Sequence, residues 1–225
     1  MEFEIVGSSM QTLLVELDGG EAMYTERGGM AWLSNVDMDT SAKGGLMKGL
    51  GRMVSGESLF MTTYTASRGG GKIAFTPEAP GSVLSMALER GQAMLCQRDA
   101  FMCAEETVDL SVHFHKRLGA GLFGGEGFFL QKVEGPGYVF FEIAGEAYET
   151  TLASGEVLSV DPGHIALLEP TVDFSITRVK GVRNMLLGGE GLFLAKLTGP
   201  GNVWLQSLPL PNLAAKLNRY ISTSS

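Results

Sequence analysis

One phrase recurs in this chain and limits what the chain can fold into. Gly125-Glu126-Gly127-Phe128-Phe129-Leu130 returns as Gly189-Glu190-Gly191-Leu192-Phe193-Leu194, and a looser copy stands earlier as Gly56-Glu57-Ser58-Leu59-Phe60-Met61. Each copy leads into a second phrase: Gly135-Pro136-Gly137-Tyr138, Gly199-Pro200-Gly201-Asn202 and Gly69-Gly70-Gly71-Lys72. The last two copies lie 64 residues apart at every matched position. Internal repetition of this kind restricts the fold to bodies with pseudo-symmetry. A period this long, with so few copies, suits a closed or sandwiched body better than a solenoid.

The repeated segments read as β-strands. Leu13, Val15 and Leu17 alternate with Thr12, Leu14 and Glu16, the period of a strand with one buried face. Val108, Leu110 and Val112 alternate in the same way with Asp109, Ser111 and His113. Glycine supplies 31 of 225 residues, about twice the usual ~7%, and clusters between short apolar runs where strands turn. Three such runs look like hairpins, turning at Arg27-Gly28-Gly29, Gln97-Arg98-Asp99 and Asp161-Pro162-Gly163. The expectation is a single all-β unit over 1–225, a closed or sandwiched body of two packed sheets. Its repeats run about 10–80, 81–144 and 145–208. A tail over 209–225 carries a short helix, with Asn212 as its cap and Leu213, Leu217 and Ile221 at fourfold spacing.

A net charge of −8 argues against a phosphate-neutralising nucleic-acid binder. No apolar run approaches the ~20 residues of a membrane-spanning helix. The opening Met1-Glu2-Phe3-Glu4-Ile5 has neither the basic start nor the apolar core of a signal or transit peptide. A cytoplasmic protein is expected.

Taken in order, the phrases around Glu57-Ser58-Leu59-Phe60-Met61, Gly125-Glu126-Gly127-Phe128-Phe129 and Gly199-Pro200-Gly201-Asn202-Val203-Trp204 resemble the altered-inheritance-of-mitochondria protein (twenty-four) family, in its prokaryotic domain-of-unknown-function branch. The resemblance spans about residues 8 to 208. It implies a β fold like that of the tryptophan RNA-binding attenuation protein, built as a duplicated antiparallel β-sandwich, with assembly into rings or trimers. It implies no reaction. The attenuation protein's RNA and tryptophan binding do not carry over, because its ligand residues have no match here.

The candidate chemistry is sparse. Gly119-Ala120-Gly121-Leu122-Phe123-Gly124 fits G-x-G-x-x-G, but a strand-like run follows where a dinucleotide site needs a helix. His113 and His115, two apart on one strand, project from one face. With Asp109 they form the candidate metal set, the basis of an alternative reading as a metal-dependent, cupin-like enzyme. Cys96 and Cys103 fall on the two arms of one expected hairpin, as buried thiols or as a redox pair. Glu57, Glu126 and Glu190 hold equivalent places, where symmetry could gather them around a cation or their own turns could use them as N–H acceptors. Leu122 and Phe123, flanked by glycine, are candidates for a partner or membrane contact, or for burial in an interface. No Ser-His-Asp order, G-x-S-x-G or H-E-x-x-H occurs. These residues lead us to expect a non-catalytic homo-oligomeric scaffold without cofactor, a trimer first. Its glycine-rich loops would meet a protein, a lipid or a small ligand. A membrane-surface scaffold is the other alternative.

Overall fold

A computed structural model of the chain describes residues 1–26, 28–42, 60–116, 127–178, 193–218 and 220. Its strands form four antiparallel sheets among the described residues. In spatial order, the first holds β1 (Glu2–Val6), β2 (Thr12–Leu17), β7 (Gly71–Phe75) and β4 (Met30–Ser34). The second holds β5 (Val36–Ala42), β6 (Phe60–Ala66), β3 (Ala22–Thr25), β10 (Phe101–Glu105), β13 (Gly137–Ala144) and β8 (Gly81–Leu88). The third holds β11 (Asp109–Lys116), β12 (Phe128–Glu134), β9 (Ala93–Gln97), β16 (Ile165–Leu168), β19 (Gly201–Gln206) and β14 (Ala147–Leu152). The fourth holds β15 (Val157–Val160), β18 (Phe193–Thr198) and β17 (Asp173–Arg178).

The sheets stack as layers, and a separate core fills each gap. Leu13, Val15 and Phe75 of the first sheet meet Met23, Tyr64 and Phe140 of the second. Tyr24, Phe101 and Phe141 of the second meet Met94, Cys96 and Trp204 of the third. Leu95, Leu130 and Val203 of the third meet Leu158, Ala195 and Leu197 of the fourth. Because strand side chains alternate between faces, the neighbours Phe140 and Phe141 enter different cores, and both are fully buried. Burial of each such ring stabilises the fold by about 1.5–3 kcal/mol. The body is an all-β sandwich of four sheets rather than two, because the second and third sheets are covered on both faces.

The three expected hairpins do not form. β3 and β4 lie in different sheets, as do β9 and β10, and β15 and β16. The cause lies in the arms, which are apolar at successive positions. Met94-Leu95-Cys96 and Ile165-Ala166-Leu167-Leu168 are buried throughout, as strands covered on both sides must be. Tight 3-10 turns at Arg98–Ala100 and Pro162–His164 carry the chain across the layers. In the first turn Gln97 Oε1 accepts the Asp99 N–H at 2.7 Å. In the second, Asp161 Oδ1 accepts the Gly163 N–H at 3.0 Å.

One set of pairings recurs along the chain. β7 joins β2 to β4, and β6 joins β3 to β5. β13 joins β8 to β10, and β12 joins β9 to β11. β19 joins β14 to β16, and β18 joins β15 to β17. Register shifts recur at matching places, between Met30 and Trp32, Phe101 and Cys103, and Ile165 and Leu167. Gly135-Pro136 and Gly199-Pro200 are both cis. The glycines that follow, Gly137 at φ 137° and Gly201 at φ 144°, hold backbone that a side chain rarely adopts.

The single described helix, α1 (Leu210–Leu217), starts two residues earlier than Asn212. Pro209 holds the cap position, its φ already suited to a helix start. Asn212 is therefore inside the helix and caps nothing; Ile221 lies outside the described residues. No described helix is long and apolar enough to cross a membrane.

Candidate functional site

Most of the candidate residues fall where nothing is described. Glu57, Glu126, Glu190, Leu122 and Phe123 lie outside the described residues, as does the G-x-G-x-x-G stretch. The candidate metal strand is described in part. On β11, Val112 pairs with Gln131 and Phe114 with Leu130, so a bulge falls at His113. A bulge interrupts strict alternation, so the spacing of Asp109, His113 and His115 no longer puts them on one face by itself. The His115 side chain is outside the described residues. Among the described residues no three His, Cys, Asp or Glu side chains converge. His113 lies beside an open groove with Phe114, Pro170, Thr171 and Asp173. Partial burial, then the Lys132 ammonium, lowers its pKa.

The two thiols are apart in role. Cys96 belongs to the core between the second and third sheets, and Cys103 to the core between the first and second. Both are free and fully buried. Burial pushes each thiol pKa upward, so neither is poised as a thiolate.

A polar cluster that sequence reasoning missed closes one end of the junction between the second and third sheets. Gln97, Asp99, Glu142, Gly163 and Gln206 line a narrow crevice beneath α1. Glu142 ends the apolar run Val139-Phe140-Phe141 and accepts the Glu78 N–H at 2.7 Å. Burial, with added repulsion from Glu78 and Asp99, pushes its carboxyl up to about 8. Gln206 holds the matching place on β19. It donates to the Gly163 carbonyl at 3.0 Å and accepts the Ala144 N–H at 3.2 Å. A glutamate at the end of a strand's apolar run was the available signal. At the same junction Gln131 is fully buried. Its Nε2 donates to Glu26 at 2.9 Å, and its Oε1 has no hydrogen-bond partner among the described residues.

Several polar side chains act locally. Glu21, Glu156 and the amide of Gln92 each accept a backbone N–H three residues back in their own turns. Glu105 and Glu169 each accept the N–H that follows a Pro-Gly pair, from Tyr138 at 2.6 Å and from Asn202 at 2.9 Å. These bonds satisfy turn donors that would otherwise lack partners.

The surface feature that stands apart is a pair of open strand edges. β4 ends the first sheet and β15 ends the fourth, and neither has a second partner among the described residues. Trp32 on β4 is 56% exposed and Val157 on β15 is 47% exposed. Large apolar side chains on an unpaired edge mark a contact surface.

Comparison with known proteins gives the chain a family but no activity. The signature of the family described as mitochondrial biogenesis AIM24 matches residues 3–208. An uncharacterised protein of Streptococcus pyogenes serotype M6 is 33% identical over 232 residues, covering 98% of this chain and 91% of that protein. A crystal structure of a Streptococcus pyogenes protein, a structural-genomics target, is similar with a TM-score of 0.77 and 27% identity. The match covers 98% of this chain and 99% of that one.

Proposed function

We propose, for a chain that belongs to the mitochondrial biogenesis AIM24 family, a non-catalytic role as a homo-oligomeric β-scaffold. The observation that carries the reading is the pair of open edges on β4 and β15, with Trp32 exposed on one and Val157 on the other. A rigid body stacked through three apolar cores suits a support rather than a moving device. The hydrogen-bonded acids of the turns support the same view, since their carboxylates are already engaged in holding the chain. In this reading the protein is cytoplasmic and assembles first as a trimer. The glycine-rich segments around Glu57, Glu126, Glu190, Leu122 and Phe123 then face a protein, a lipid or a small ligand.

Light scattering on the eluting protein, combined with zinc and nickel titration, tests this. The scaffold reading expects a mass above one chain and no metal uptake. A monomer that takes up one equivalent of metal, lost on His113→Ala, sinks it in favour of a metal-dependent, cupin-like enzyme using Asp109, His113 and His115. Flotation with anionic vesicles at low salt addresses the membrane-surface alternative, for which the protein must rise with the lipid.

A further inference from the structure

The crevice beneath α1 is lined by two matching strand ends, one neutral and one acidic. On β19, Leu205 lies opposite Ile165, and Gln206 follows it. On β13, Phe141 lies opposite Phe101, and Glu142 follows it. The turns match in the same frame. Gly163 stands two residues before Ile165, and Asp99 two before Phe101. Gln206 uses its place as a tie: its amide donates to the Gly163 carbonyl at 3.0 Å, which holds β19 to the turn before β16. The matching acceptor for Glu142 is the Asp99 carbonyl. An ionised carboxylate has no hydrogen to donate there, whereas a neutral carboxylic acid has one.

The surroundings of Glu142 favour the neutral acid. Burial raises its carboxyl pKa, and repulsion from Glu78 and Asp99 adds to that. Glu78, from the segment between β7 and β8, offers only its N–H, at 2.7 Å. Asp99, from the turn before β10, gives its own N–H to Gln97. The turn before β16 brings Asp161, bonded to the Gly163 N–H, and His164, whose ring Nδ1 meets the Gln206 carbonyl at 2.7 Å. Arg98, the cation of the nearer turn, is directed elsewhere, toward Glu26 and over the Phe129 ring. α1 presents Leu210 and Pro211, while its Lys216 is exposed in the last turn. Among the described residues no lysine or arginine lines the crevice.

α1 is held at its first turn. Pro209 is buried against Gly163, where an added Cβ would stand 3.1 Å from Pro209 Cβ. Leu210 and Pro211 cover the crevice. At the far end Leu217 is 51% exposed and Tyr220 80% exposed. The stretch that rests on the body is therefore the stretch that lies over Glu142. We propose that Glu142 is a proton-operated latch for α1. As a neutral acid it donates to the Asp99 carbonyl, as Gln206 does to Gly163, and the crevice stays shut under Leu210 and Pro211. Loss of the proton removes that bond and leaves a buried carboxylate facing two others. Such a charge needs water, water enters at the mouth, and α1 lifts. The Leu208 N–H, bonded to the Ala144 carbonyl at 3.0 Å, keeps the chain fixed up to the hinge. The latch works within one chain and does not depend on the scaffold reading.

Hydrogen exchange on the full chain, corrected for the intrinsic effect of pH on exchange, tests this. The amides of residues 213–218 should exchange faster than those of β19, because α1 opens without the body. In the lifted state Glu142 is hydrated and its pKa returns to the ordinary carboxyl value. Protection of the helix should therefore fall by up to about tenfold per pH unit between that value and the raised one, then level off. Glu142→Gln keeps a donor and should hold the helix protection constant with pH. Asp99→Asn removes a repelling charge, so the fall should level off at lower pH. Helix protection independent of pH in the unaltered protein overturns the latch, as does helix exchange no faster than that of β19. The same fall in Glu142→Gln also overturns it, and would pass the effect to another group such as His164. An Asp99→Asn profile that levels off at the same or a higher pH overturns it too, so the test survives a Glu142→Gln chain that fails to fold.

Discussion

The middle of the stack and its two ends are built from matching strands, yet they differ in what covers them. At the β9–β16 junction Leu167 lies opposite Cys96, and both are sealed from solvent. At the ends, Trp32 and Val160 hold the corresponding places without a partner strand among the described residues. The difference is one of position in a series rather than of strand type. An interior unit meets a neighbour on each side, and a terminal unit meets one. Repeat bodies usually close their ends with polar caps, and these two edge strands carry no charge.

Several substitutions break or sharpen that contrast, and the largest effect belongs to the closed junction. Leu167→Ala should cost about 2–5 kcal/mol in chemical denaturation, through lost transfer energy and a cavity that its packed neighbours cannot fill. A loss below about 1 kcal/mol would show the junction to be plastic rather than close-packed.

Next in size is the titration of the crevice at that junction. Glu142 has a folded pKa pushed up to about 8, above the ordinary value of about 4.3. The folded state keeps a proton that the unfolded chain releases. Its contribution is therefore complete below the unfolded pKa and is lost as pH rises through the folded one. Between those values stability should fall by on the order of 3 kcal/mol, discounted for partial exposure. Glu142→Gln copies its counterpart Gln206 and should flatten this slope in melts run across that range. An unchanged slope would assign the effect elsewhere.

Smaller again is a matched pair of glycines. A Cβ at Gly137 would stand 2.6 Å from Thr107 Oγ1, and one at Gly201 would stand 2.6 Å from Thr171 Oγ1. Alanine at either position should cost about 1–3 kcal/mol, from strained backbone and this crowding. Similar losses at the two sites would show that they are mechanically alike. The smallest effect on the single chain is at the open end. Trp32→Ala should change the stability of one chain by about 0.5 kcal/mol or less, as exposed substitutions do, while dispersing the assembly in light scattering.

Much of this architecture was legible in the residues. Alternation at Leu13, Val15 and Leu17 gave a strand with a buried face, and the glycine clusters gave the turns. The layer changes were not legible, because alternation says which face is buried and not which sheet a strand joins. Runs such as Met94-Leu95-Cys96 held the clue, since an apolar residue at every position needs cover on both faces. The helix start is not legible either, because Asn212 reads as a cap, while Pro209 holds the cap position and sets the boundary. Of the site, the bulge at His113 was invisible to a reading that assumed a regular strand. Glu142 is not legible as a crevice residue, because one glutamate in a strand reads as outward-facing. The glycine–glutamate phrases that organise the sequence remain candidates only, since Glu57, Glu126 and Glu190 lie outside the described residues.

The most direct test of the account is a native mass spectrum of the freshly purified protein. The account predicts a mass that is a whole multiple of the chain, three being the first expectation, with no metal retained. A single-chain mass, especially with a stoichiometric metal attached, would contradict it and make His113 and His115 the first residues to change.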